Sequence, residues 1–180
     1  MSVCMSLYRK KLLEEKGLRF LNILSEDTLF NLEAYGNAGS ITFTASADYC
    51  YRKENQSSIT ASFSPDKGER YREFLTVLRR MAQRDSEGCV LRAKRTAVDY
   101  GRMYAALVEA SGLPVKEKCR CLREFSQRTS FLWEGCPLKE LPWQQRIFHK
   151  ALANQNAMAV LALCRARRSV KKGERKHGKL

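Results

Sequence analysis

A chain of 180 residues with 44% hydrophobic and 29% charged side chains is long and apolar enough to fold around its own core, which excludes disorder as its general state. Its net charge of +14, from 33 Lys and Arg against 19 Asp and Glu, points to an anionic partner. No apolar run approaches the ~18 residues of a membrane span, and nothing before Arg9 resembles an export signal. The seven cysteines are odd in number and irregularly spaced, so the expectation is a cytoplasmic protein with reduced thiols and no disulfide framework.

In chain order, Ser6 to Lys16 reads as a short helix closed by Gly17, and Leu18 to Leu24 fits either a strand or an extension of that helix. Thr28 to Tyr35 places Phe30, Leu32 and Ala34 on one side of a strand, and Gly36, Asn37 and Gly39 suit the turn that follows. The alternation is cleanest from Ser40 to Tyr51, where Ile41, Phe43, Ala45, Ala47, Tyr49 and Tyr51 share a face opposite Ser and Thr. Ser57 to Phe63 repeats it with Ile59, Ala61 and Phe63, so the two runs predict a hairpin across Lys53–Gln56. These aromatic residues read as the covered face of the sheet, under helices, rather than as a base-stacking platform.

From Pro65 the apolar period changes to 3.6. Asp66 is a candidate cap for a helix with Tyr71, Phe74, Leu75, Leu78 and Met81 in one stripe. After Asp85–Gly88, a second helix buries Val90, Ala93, Ala97, Gly101, Tyr104 and Val108 and ends at Gly112 and Pro114. A third starts at Pro114, carries Val115, Cys119, Leu122 and Leu132 inward, and breaks at Gly135 and Pro137. A fourth runs from Pro142 towards Cys164, with a kink or break at Asn154–Asn156. The fold class predicted is therefore α+β: an N-terminal antiparallel meander of three or four strands within residues 18–64, then about four helices over 66–164 in the same domain. Residues 165–180 hold eight Lys and Arg against Glu174 alone and are expected to be a disordered basic tail.

Function is sought in that charge. Arg92, Arg95 and Arg102 recur at helical spacing around Asp99, and with Arg165, Arg167, Arg168, Lys171 and Lys172 they supply the cations a phosphate backbone needs. The leading expectation is a non-catalytic nucleic-acid-binding protein, RNA or DNA, and the alternative is an interaction module whose charge meets an acidic protein. No cofactor is expected: phosphate-loop, dinucleotide and zinc-protease motifs are all missing. Cys119 and Cys121, with Cys136 and His149, are the only metal candidates, and residues two apart on a helix diverge, so no metal is expected either. His149 is the one imidazole outside the basic tail, without a nucleophile signature near it, which makes an enzyme the minority reading. Trp133 and Trp143 flank an apolar loop that is either a packed corner or a docking surface.

Overall fold

The computed structural model describes residues 3–44 and 62–177, with side chains as far as Ser169. The chain divides into two compact units, residues 1–56 and 57–180. Among the described residues every regular element is a helix and none is a strand, which overturns the α+β expectation. None of these helices is long and apolar enough to cross a membrane.

In the first unit, α1 (Lys10–Glu15) ends where Gly17 takes φ +60°, a conformation that glycine alone adopts without strain, and Leu18 N–H closes the turn on Leu13 O at 2.9 Å. The predicted strand Thr28–Tyr35 lies inside α2 (Glu26–Asn37). Its strand face would have joined Phe30, Leu32 and Ala34, but Leu32 is exposed while Leu29, Phe30 and Ala34 are buried, a helical spacing. Glu26 and Asp27 occupy the first turn, where carboxylates complement the helix dipole. Leu18 to Leu24 belongs to no helix of this unit or strand; it buries Leu18 and Leu24, and Phe20 stacks on Phe30 with ring centres 4.1 Å apart. Most of the predicted hairpin, Ser40–Tyr51 with Ser57–Phe63, lies outside the described residues; its described ends, 40–44 and 62–63, are irregular.

The second unit is a helical assembly built on α4 (Glu87–Ala110), whose 24 residues span about 36 Å. The helices α3 (Lys67–Gln83), α5 (Val115–Trp133), α6 (Trp143–Ala153) and α7 (Ala157–His177) all pack on it. The apolar stripe of α3 points inward as its period requires, with Tyr71, Phe74, Leu75 and Leu78 buried. Tyr71 and Phe74 meet Tyr100 of α4 at 4.9 Å each, and Tyr104 stacks on Phe125 of α5 at 4.4 Å. Aromatic pairs of this kind contribute about 0.5–1.5 kcal/mol beyond the area they bury. Gly101 lets α6 come close: a Cβ there would stand 3.0 Å from Leu152 Cδ2.

Punctuation residues set the ends. Ser86 Oγ accepts from Cys89 N–H at 3.3 Å to cap α4, and Pro114 and Pro142 immediately precede α5 and α6. The break expected at Asn154–Asn156 is complete: Gln155 is left-handed at φ 55°, and Asn156 Oδ1 accepts from Ala159 N–H at 3.1 Å to start α7. Ser126 Oγ donates to Leu152 O at 2.7 Å, which ties α5 to the last turn of α6. The expected disordered tail is corrected as well, because α7 continues without interruption through Arg165 to His177.

Candidate nucleic-acid interface

Residues 1–56 carry seven Lys and Arg and seven Asp and Glu, whereas residues 57–180 carry 26 and 12. The whole net charge of +14 therefore belongs to the helical unit. What decides its use is which of these cations stand in solvent without an acid beside them.

The arginines expected along α4 are treated unequally by the fold. Arg92 is exposed and makes no ion pair among the described residues. Arg95 is paired with Glu140, which lies on a 3₁₀ turn, Leu138–Glu140, between α5 and α6. Arg102 pairs with Asp99 at 3.2 Å, one turn earlier, and its side chain is only 19% exposed. Burial pushes its guanidinium pKa down, the like charge of Arg167 pushes the same way, and Asp99 opposes both. The α4 row is thus interrupted by internal partners at two of its three arginines.

On α7 the picture differs. Arg165 (3.6 Å) and Arg168 both reach Glu109 near the end of α4, a carboxylate only 8% exposed. Arg167 between them has no ion pair among the described residues. Every residue from Arg165 to Ser169 is exposed. Five consecutive residues at about 100° each sample all sides of a helix, so α7 presents solvent-exposed side chains all round from this point while Arg165 and Arg168 still tie it to Glu109 of α4. Lys171 and Lys172 follow on the same helix. Cys164, one residue before the projection, is half-buried, and desolvation followed by the nearby Glu109 charge pushes its thiol pKa up to about 11, which keeps it un-ionised.

Further exposed cations lie where the sequence pattern suggests only solvated helix surface. Arg80 on α3, Arg84 just past its end and Arg123 on α5 make no ion pair among the described residues. By contrast Glu69 holds both Arg72 and, at 3.5 Å, Arg128, and Arg79 donates to Phe131 O at 2.5 Å while lying 5.5 Å over its ring. The signal for Arg80, Arg84 and Arg123 is their position off the apolar stripes, which by itself does not separate a free cation from a paired one.

The remaining candidates are apart from this charge. His149 is buried against Trp133, ring centres 5.9 Å apart, and neither ring nitrogen has a hydrogen-bond partner among the described residues; burial lowers its pKa. Cys119 faces Met158 Sδ at 3.6 Å, and no group of three metal-ligating side chains occurs among the described residues. Of the two tryptophans, Trp133 is core, while Trp143 is 60% exposed and Ile147, one turn on, is exposed beside it. No family model, curated protein or solved structure matches the chain.

Proposed function

We propose that the helical unit, residues 57–180, is a non-catalytic nucleic-acid-binding module whose principal contact is the projecting half of α7. The observation that carries this is the run Arg165–Ser169, exposed on every side of a continuous helix, in a segment where residues 165–180 hold eight basic residues and one acid. Lys and Arg there neutralise phosphates and release condensed counterions, a gain that depends on charge density and not on base sequence. Arg92, Arg80, Arg84 and Arg123 extend the positive field over the bundle, while Arg95, Arg102, Arg165 and Arg168 contribute less because their charge is compensated within the fold.

A titration of labelled DNA and RNA across salt concentrations tests the proposal. The intact chain should bind with a log–log slope of about −0.9 per duplex phosphate contacted, and deletion of 165–180 should flatten it by several contacts. Replacing Lys10 and Lys11 of the neutral N-terminal unit by Glu should leave the slope unchanged. No binding at low salt would remove the reading. A second reading, docking to an acidic protein, draws on exposed Trp143 and Ile147 beside Arg146 and Lys150 on α6. Recovery of such a partner after nuclease treatment, lost in Trp143→Ala, is its test.

A further inference from the structure

Three arginines meet two acids where α4 and α7 pack, and a fourth meets none. Glu109, 8% exposed, takes Arg165 at 3.6 Å and Arg168 from α7, and the buried Lys118 ammonium donates to the Glu109 carbonyl oxygen at 2.7 Å. Asp99 takes Arg102. Arg167 is left exposed, without an ion pair among the described residues. Around an ideal helix, positions 165 and 168 are about 60° apart and 167 lies about 100–160° from them, so a helix held through 165 and 168 presents 167 on another side. Positions 171 and 175, both basic, continue from 167 at intervals of four, which is one line along a helix.

We propose that Glu109 is a positioning residue that sorts the basic residues of α7: Arg165 and Arg168 hold the helix to α4, and Arg167 begins the row through Lys171 and Arg175 that meets phosphate. The inference rests on the nucleic-acid reading and deepens it. Withdrawing a guanidinium from a nearly buried carboxylate strands a charge in a poorly solvated place, which a single exposed phosphate contact does not offset. Arg165 and Arg168 therefore stay on Glu109 when the polyanion arrives. For Arg167 the balance is reversed, because it is exposed and no acid among the described residues competes with a phosphate for it.

The experiment uses the full chain and a short fluorescein-labelled DNA duplex, with an RNA duplex alongside, titrated across salt, and amide hydrogen exchange over 165–177 as a second readout. Arg167→Gln should reduce the salt slope by about 0.9 and leave exchange unchanged. Arg165→Gln and Arg168→Gln should leave the slope unchanged and speed exchange. Glu109→Gln should speed exchange and steepen the slope, because two arginines become available, and Glu109→Asp should restore both. A slope loss in Arg165→Gln or Arg168→Gln equal to that in Arg167→Gln overturns the sorting, and so does a Glu109→Gln protein with unaltered slope and exchange. If Glu109→Gln does not fold, the arginine variants decide alone. Absence of binding by the unaltered chain at low salt sinks the nucleic-acid reading itself.

Discussion

The two units of this chain are opposites in charge and in core. Residues 1–56 are electroneutral and gather a small cluster of Leu18, Phe30 and Ala34 with Val3, Tyr8 and Leu13 packed on it. Residues 57–180 carry all fourteen excess positive charges around a core of stacked aromatics. The difference teaches that net charge is a property of a unit, not of a chain. Self-repulsion among 26 cations has to be offset by burial and by the twelve acids among them.

The largest expected effect follows from that core. Phe74 is fully buried against Tyr100, and Phe74→Ala should cost about 3–5 kcal/mol, the transfer of a ring plus the cavity left behind. Both tryptophans lie in the helical unit, so their fluorescence in a denaturant titration reports its unfolding alone. Phe30→Ala, in the N-terminal cluster, should leave that transition where it is. A shift as large as that of Phe74→Ala would show that the two units stand or fall together and would dissolve the contrast.

The helical unit was legible in the sequence because its signals are local. The stripe Tyr71, Phe74, Leu75 and Leu78, the stop at Gly112–Pro114 and the break at Asn154–Asn156 each lie within a turn or two of what they determine. Thr28–Tyr35 misled because a short apolar run satisfies period 2 and period 3.6 almost equally; the exposure of Leu32 and the acids at Glu26 and Asp27 are what separate them. The site was half legible for a related reason. The Asp99–Arg102 pair is three residues apart and lies within reach of helical spacing, yet the charge pattern counts Arg102 among the phosphate contacts, whereas Arg95 with Glu140, and Glu109 with Arg165 and Arg168, join residues that only tertiary packing brings together. A charge count cannot distinguish a cation that is free from one already spoken for.

A smaller effect sits inside the core of the charged unit. His149 has its pKa lowered from 6.5 by burial, with no acid paired to it among the described residues, so it is neutral when folded. Below about pH 6.5 the unfolded chain takes up a proton that the folded one refuses. Stability is therefore retained above that pH and declines as pH falls towards the lower folded value. The loss should be at most about 1.4 kcal/mol between pH 7.5 and 5.5, and His149→Phe should abolish that part of it. A midpoint that moves equally with pH in both proteins would place the titration elsewhere.

The smallest effect bears most directly on where polyanion contact lies. Arg95 and Glu140 are both partly exposed, with side-chain exposures of 39% and 54%, so a double-mutant cycle between Arg95→Ala and Glu140→Ala should give a coupling of only about 0.2–1 kcal/mol. The exposed pair Lys10–Glu14 in the neutral unit, 3.5 Å apart with both groups well solvated, should give about 0.3–0.5 kcal/mol or less. Such energies barely alter stability, yet they decide occupancy. If the Arg95–Glu140 coupling is measurable, Arg95→Gln should change the salt slope of nucleic-acid binding by less than Arg167→Gln does, because its charge is already compensated. A coupling of zero together with an equal slope loss would mean that Arg95 is as free as Arg167. The α4 row of Arg92, Arg95 and Arg102 would then share the contact, and the boundary between the unit's internal and external charge would have to be drawn elsewhere.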